Sequence, residues 1–218
     1  GIAFDGTNMW TANSASNGVT KISPSGETIT YNGTGRFPTA IAFDGTNMWT
    51  TNASDNSVTK ITPSGKMTTY SGTGRFPTAI AFDGTNMWTA NRDSNSVTKI
   101  TPSGATATYS GTASDPQGIA FDGTNMWVTS GGSDSVTKIT PLGKMTIYNG
   151  TAPQPNAIAF DGVNMWITSN GSNRATKITP AGKMTTYHET GPQPDSIAFD
   201  GTNMWTVLRT RGLTKISP

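Results

Sequence analysis

The sequence predicts an all-β protein with the fold of a six-bladed β-propeller. The first observation is a repeat, whose six copies begin at residues 1, 40, 79, 118, 157 and 196. Neighbouring tryptophans are 39 residues apart, and all six tryptophans of the chain belong to the repeat: Trp10, Trp49, Trp88, Trp127, Trp166 and Trp205. The second observation is that each copy contains short stretches with the alternation of a β-strand and none with the period of a helix. Four strands in a unit of about 40 residues are typical of a propeller blade.

Each repeat divides into four strands, a to d, joined by short turns. In the second repeat "AIAFD" is strand a, "DGTN" is a turn signal and "MWTTN" is strand b, so these two strands form a hairpin. A polar loop leads to strand c, "SVTKIT", and after the turn "PSG" the segment "KMTTY" is strand d. We expect the Trp and Met side chains of strand b to fill the interfaces between blades, because both bury large polarisable groups.

The last repeat is shorter than the others. It ends at Pro218, before any equivalent of strand d. We therefore predict a last blade of three strands, within a single domain that spans residues 1–218. A closing strand that preceded Gly1, or a neighbouring molecule that covers the edge, are the alternatives. Because an open edge strand invites pairing, the last blade would also permit an oligomer.

The composition excludes several classes of function. Without cysteine the chain has no disulfide, no thiolate nucleophile and no Cys-ligated metal centre. The net charge is +2 without a basic cluster, so nucleic acid is not an expected partner. No apolar stretch reaches the roughly 18–20 residues of a membrane-spanning helix, so membrane insertion is not expected. The sequence begins with Gly1 and no signal peptide is visible in it, so we expect a mature or excised segment of a longer, extracellular or cell-envelope protein.

The six copies differ mainly in two segments. One is the loop between strands b and c (the b–c loop), and the other is the linker from strand d to the next strand a (the d–a linker). In an up-and-down blade both emerge on one face, here called the variable face, and the constant turns emerge on the opposite face. Because binding residues commonly lie on loops held by a rigid scaffold, the variable face is the candidate ligand face. The alternative is that exposed loops vary because nothing constrains them.

The candidate ligand-binding residues lie in these variable segments. The sequence "GRFP" occurs in two neighbouring linkers, and an Arg beside an aromatic residue is typical of a binding hot spot. The only histidine is followed by Glu189, with which it could form an acid–base pair, although adjacent strand residues usually point to opposite faces. The predicted ligand site draws on seven residues: Arg36, Phe37, Arg75, Phe76, Arg92, Asp115 and His188. We predict no catalytic residue, no metal ligand and no cofactor.

The aspartates of the "DGTN" turns could form a ring of carboxylates for a cation. However, the turn lacks the dense spacing of oxygen ligands that a calcium loop has. An Asp that accepts hydrogen bonds from the backbone of its own turn explains the same letters. We expect a structural role for these aspartates.

The frame "P-x-x-I-A-x-D-G-x-x-x-W-x-T … T-K-I-T-P-x-G-x-x-T-x-Y" resembles the repeat of the virginiamycin B lyase family and, more loosely, that of NHL-type propellers. The resemblance covers nearly the whole chain, mostly at scaffold positions. It implies a seven-bladed ring in which a magnesium ion with His and Glu residues opens the ester bond of a streptogramin by elimination. The chain departs from that pattern after "W-x-T", where family repeats often show Glu and this chain has Asn or Ser: Asn13, Asn52, Asn91, Ser130 and Ser169.

Two functions remain open from the sequence, beside a purely structural role as one part of a larger array of duplicated repeats. The first is a non-catalytic binding scaffold whose variable face takes a protein or glycan ligand. The near-identity of the blades, the single histidine and the one-sided variation favour it. The second is a lyase related to the streptogramin-inactivating enzymes, as the resemblance implies.

Overall fold

Short antiparallel strands and tight turns build nearly all of the structure. The computed structural model describes residues 1–188, 190–210 and 212–216. The chain divides into two compact units, Gly1–Ser110 and Gly111–Pro218, and each unit contains three consecutive repeats. The single domain over residues 1–218 stays a prediction. None of the described helical segments is long and apolar enough to cross a lipid bilayer.

The first unit contains three four-stranded sheets, one for each repeat, with the strands in sequence order. The first sheet consists of β1 (Ile2–Phe4), β2 (Met9–Asn13), β3 (Gly18–Ile22) and β4 (Thr28–Asn32). The second consists of β5 (Pro38–Phe43), β6 (Met48–Asn52), β7 (Ser57–Ile61) and β8 (Met67–Ser71). The third consists of β9 (Pro77–Phe82), β10 (Met87–Asn91), β11 (Ser96–Ile100) and β12 (Thr106–Ser110), with a 3₁₀ turn at Arg92–Ser94.

The second unit contains two four-stranded sheets and one three-stranded sheet. The first of these consists of β13 (Pro116–Phe121), β14 (Met126–Ser130), β15 (Ser135–Ile139) and β16 (Met145–Asn149). The next consists of β17 (Pro155–Phe160), β18 (Met165–Ser169), β19 (Arg174–Ile178) and β20 (Met184–Tyr187). The last consists of β21 (Pro194–Phe199), β22 (Met204–Leu208) and β23 (Leu213–Ile216). Over the described residues the six sheets are therefore the blades of a six-bladed propeller, and the prediction of a three-stranded last blade is confirmed.

The core consists of layers between neighbouring blades. Met and Trp are adjacent in strand b, so their side chains lie on opposite faces of the sheet, which we call the Met face and the Trp face. Trp10 of the first blade, on its Trp face, packs with Ile41 and Met48 on the Met face of the second. The same arrangement recurs at the other blade interfaces inside each unit. The expectation that Trp and Met fill these interfaces is confirmed.

The blades at the two ends of the chain each have an uncovered face. On the Met face of the first blade Ile2 is 62% exposed, whereas the equivalent Ile41 of the second blade is 7% exposed. On the Trp face of the last blade Val207 and Leu213 are 51% and 59% exposed. These apolar side chains therefore contribute far less to the core than their counterparts in the inner blades. Oligomer formation through the edge of the last blade stays a prediction.

Because Ile41 is buried and the equivalent Ile2 is exposed, replacing each with alanine should change the stability of the protein by different amounts. We expect Ile41→Ala to lower the free energy of unfolding by about 2–4 kcal/mol, because it removes buried methyl groups and leaves a cavity. Ile2→Ala, at the equivalent exposed position, should lower it by less than about 1 kcal/mol. Urea unfolding of both variants measures the difference. Equal losses would contradict the packing described for the two blades.

Candidate functional site

The b–c loops and d–a linkers lie against each other at one end of the blades. In the first unit the backbone N–H of Ala53, in a b–c loop, donates to the carbonyl of Phe37, in a d–a linker, at 3.0 Å. In the second unit the N–H of Gly131 donates to the carbonyl of Asp115 at 2.9 Å. The two variable segments of the repeat thus share one face within each unit, as the sequence predicts.

Each d–a linker holds a non-glycine residue in the left-handed backbone region, directly before the proline that begins strand a. The φ angles lie between 50° and 60° at five equivalent positions: Phe37, Phe76, Asp115, Gln154 and Gln193. Such a conformation costs roughly 1–3 kcal/mol for a residue other than glycine, and it persists only where the surroundings impose it. We call these five residues the display residues.

Hydrogen bonds on both sides impose this conformation. The N–H of Phe37 donates to the side-chain carbonyl of Asn17 in the preceding b–c loop at 3.0 Å. Its own carbonyl accepts from the N–H of Ala53 in the following b–c loop. Gln193 is held in the same way, by Asn173 at 2.8 Å and by the N–H of Arg209 at 3.1 Å. Both hydrogen bonds use only backbone atoms of the display residue, so they place no restriction on its side chain.

The first unit brings five of the predicted site residues together. The rings of Phe37 and Phe76 lie 6.5 Å apart, and Phe37 is 45% exposed. The guanidinium of Arg92 lies 4.1 Å from the centre of the Phe76 ring. Arg36 forms an ion pair with Asp55 at 2.6 Å, and the Arg75 guanidinium donates to the carbonyl of Asp93 at 3.0 Å. This half of the variable face is therefore aromatic and cationic.

The second unit places Asp115 in a cleft of about 680 Å³. Eleven further residues form its walls, from the ends of d–a linkers, the first residues of strand a and the b–c loops, and none of them is among the predicted site residues. These wall residues are Gln117, Gly118, Gly131, Gly132, Gln154, Pro155, Asn156, Ala157, Asn170, Asp195 and Arg209. A comparison of the residues beside the proline of each d–a linker could have found several of them, because lining residues of different blades occupy the same positions relative to that proline.

Polar side chains define the chemistry of this cleft. The Asp115 carboxylate accepts a hydrogen bond from the Gln117 amide at 2.8 Å. Asp195 forms an ion pair with Arg209 at 2.8 Å. The Asn156 amide donates to the backbone carbonyl of Asp195 at 2.8 Å. The formal charge of the lining is therefore slightly negative, and no aromatic side chain is part of it.

His188 lies apart from this cleft. It is exposed, it directly follows β20, and it is not one of the residues that line the cleft. Glu189, its predicted acid–base companion, lies outside the described residues.

The motif aspartates have the structural role that the sequence predicts. Asp44 accepts hydrogen bonds from the backbone N–H groups of Thr46 and Asn47, and from the indole N–H of Trp49 at 2.6 Å. Burial by itself would raise the pKa of Asp44, but the hydrogen bonds from Asn47, Trp49 and Thr46 outweigh it and lower the pKa. Burial opposes the shift at Asp5 as well, but hydrogen bonds from Asn8, Trp10 and Thr7 lower its pKa to about 2. The bond to the tryptophan, which joins turn and core, was not foreseen.

The comparison with protein families decides what the repeat is. The model of the virginiamycin B lyase family matches residues 2–216. The chain belongs to the virginiamycin B lyase family. Among curated proteins none matches the chain.

Solved structures agree on the fold. A streptogramin B lyase superposes with a TM-score of 0.89 at 22% identity, over 99% of this chain and 78% of that chain. A catalytically inactive virginiamycin B lyase from Staphylococcus aureus, determined with quinupristin, gives 0.90 at 23% identity, over 100% and 79%. A nidogen–laminin complex gives 0.77 at 17% identity, over 97% and 89%. At these identities the likeness establishes the fold alone.

The residues present do not fit the magnesium ion that the family resemblance implies. Where family repeats often show Glu, the Asn52 amide of this chain is buried and donates to Ser57 at 3.0 Å and Thr59 at 2.9 Å. Asn91 makes the equivalent bonds to Ser96 and Thr98. In the part of the chain that the structure describes, no three His, Cys, Asp or Glu side chains are close enough to share a metal ion. We therefore derive no step through magnesium.

The lowered aspartate pKa values predict how stability depends on pH. A carboxylate whose pKa is lower in the folded state stabilises the fold above its unfolded pKa of about 3.9, and this contribution is lost as the pH falls through the folded pKa. The free energy of unfolding should therefore decrease between about pH 4 and pH 2. In the Asp44→Asn variant the free energy of unfolding should decrease less over this range than in the unchanged chain, because one titrating group has been removed. Urea unfolding at a series of pH values measures both slopes, and parallel slopes would contradict the role of Asp44.

Proposed function

We propose that this chain is a non-catalytic binding scaffold that recognises its ligand through the variable face. The observation that carries the proposal is the set of five display residues, held by their backbone in the left-handed region while their side chains differ from blade to blade. Strain that recurs at one structural position, and that leaves the side chain free to change, is typical of a functional surface. A drifting loop would have no reason to keep it.

The two units supply different chemistry to this surface. Phe37 and Phe76 are the display residues of the first unit, with arginines beside them. Asp115, Gln154 and Gln193 are the display residues of the second, and two of them line a cleft of a size that suits a small ligand. One scaffold therefore presents an aromatic and cationic surface on one unit and a polar cleft on the other.

A lyase activity is the alternative, and family membership favours it. The chain matches the family model over residues 2–216 and shares the fold of a lyase determined with quinupristin. The binding scaffold is supported instead by the exposed His188, which is not one of the residues that line the cleft.

Two matched variants test the binding proposal. The first carries Phe37→Ala, Phe76→Ala and Gln154→Ala on the variable face, and the second carries Thr46→Ala, Thr85→Ala and Thr124→Ala in the exposed turns of the opposite face. Glycan and peptide arrays should identify a ligand of the unchanged chain. We expect the first variant to lose at least tenfold in affinity for it and the second to stay within twofold. Binding that only the second variant loses, or no binding on any array, would contradict the proposal.

An activity assay addresses the alternative separately. We expect no loss of quinupristin when it is incubated with the chain and magnesium chloride and followed by liquid chromatography. Turnover that His188→Ala abolishes would establish the lyase and overturn the non-catalytic proposal.

A further inference from the structure

The b–c loop of the fourth blade lacks side chains where its counterparts have them. At the first position of this loop the second unit has Gly131, Asn170 and Arg209, and the first unit has Ser14, Ala53 and Arg92. Gly132 follows Gly131, so two consecutive residues of this loop carry no side chain. No other b–c loop of the chain begins with two glycines.

These glycines keep the space beside the Asp115 display residue open. A Cβ atom at Gly131 would lie 3.3 Å from the Asp115 carboxylate, and one at Gly132 would lie 3.1 Å from the Asp115 Cβ. In the first unit the equivalent of Gly131 is Arg92, and its guanidinium covers the Phe76 display residue at 4.1 Å. The same structural position is therefore covered on the third blade and open on the fourth.

The groups around this opening are those that recognise hydroxyl groups. Asp115 offers a carboxylate whose orientation the Gln117 amide fixes at 2.8 Å. Gln154 and Asn170, which carry side-chain amides, also line the cleft. An amide carries both donors and acceptors, and a carboxylate is an acceptor only, so together they complement the donor and acceptor sites of neighbouring hydroxyls.

Other classes of small ligand fit less well. The only cationic group in the lining, Arg209, is already paired with Asp195 at 2.8 Å, so a phosphate or sulfate group would meet a net negative wall. Pro155 and Ala157 are the main apolar side chains of the lining, which leaves too little apolar surface for a hydrophobic ligand. The cleft volume of about 680 Å³ lies within the range typical of ligand sites.

We propose that the cleft beside Asp115 binds an uncharged, polyhydroxylated ligand, a neutral oligosaccharide of two to four sugars, and that Gly131 and Gly132 are the residues that open the site. This proposal rests on the binding function proposed above and names the ligand class of one of its two surfaces. Asp115 and Gln154 contact the hydroxyls, and the glycines act by leaving room for the sugar ring.

One substitution closes the site without replacing any of its polar residues. Gly131→Arg copies the residue that the third blade has at this position, and it places a guanidinium over Asp115 as Arg92 lies over Phe76. The φ of Gly131 is not in the left-handed region, so a side chain is tolerated there after a shift of a few tenths of an ångström. Ser14→Arg introduces the same side chain at the equivalent position of the first blade and is the matched control. Thermal unfolding shows whether each variant is folded.

The probes are an array of neutral di- to tetrasaccharides, with sulfated and sialylated oligosaccharides as separate arms. We expect at least one neutral oligosaccharide to bind, and titration calorimetry of that compound to show an affinity at least tenfold lower for Gly131→Arg and for Gln154→Ala. Asp115→Asn, which keeps the acceptor for Gln117, should lose about fivefold or more. Ser14→Arg should stay within twofold.

Three outcomes would overturn this inference. They are binding confined to sulfated or sialylated oligosaccharides, neutral binding that Gly131→Arg leaves unchanged, and no oligosaccharide binding at all. A peptide ligand lost with the variable-face variant would in the last case leave the binding function standing and remove only the ligand class. No binding of any array compound would remove both.

Discussion

The indole of the repeated tryptophan is the group on which the rest of the blade depends. Its ring is fully buried in the inner blades, so its N–H needs a partner inside the protein. The aspartate of the same hairpin supplies that partner at 2.6 Å in every blade. The carboxylate also accepts the N–H groups of its own turn, so one residue fixes the turn and orients the ring. A tyrosine of strand d stacks on the indole of the first four blades at 5.6–5.8 Å.

This arrangement concentrates stability at one end of the blade and leaves the other end free to vary. The indole donates a hydrogen bond to the aspartate of the "DGTN" turn, and it packs against the Met face of the next blade. At the opposite end the d–a linker is held by backbone hydrogen bonds to the loops on either side. Because those bonds do not involve the side chain of the display residue, Phe, Asp and Gln are equally compatible with the fold. Variation on that face therefore costs the scaffold little.

The relation to the virginiamycin B lyase family lies in this scaffold. The family model matches residues 2–216, and the superposed lyases share the fold of this chain. At the end of strand b, where family repeats often show Glu, buried Asn residues of this chain hold strands b and c together through Ser and Thr hydroxyls. Those amides form their hydrogen bonds within their own blades. One fold can thus retain its core while the residues on its variable face serve different chemistry.

The sequence by itself determined the blades, and the tertiary structure decided the site. Strand alternation, the 39-residue spacing of tryptophan and the turn residues are local signals, so the four strands and the three-stranded last blade followed from them. The variable face also followed, because strand order alone brings b–c loops and d–a linkers together. The cleft did not, because its walls come from segments of three different blades, and Asp115 was the one cleft residue selected beforehand. The left-handed display residues were missed as well, since a Phe or Gln before proline carries no sign of positive φ, and only the hydrogen bonds from two neighbouring loops impose it.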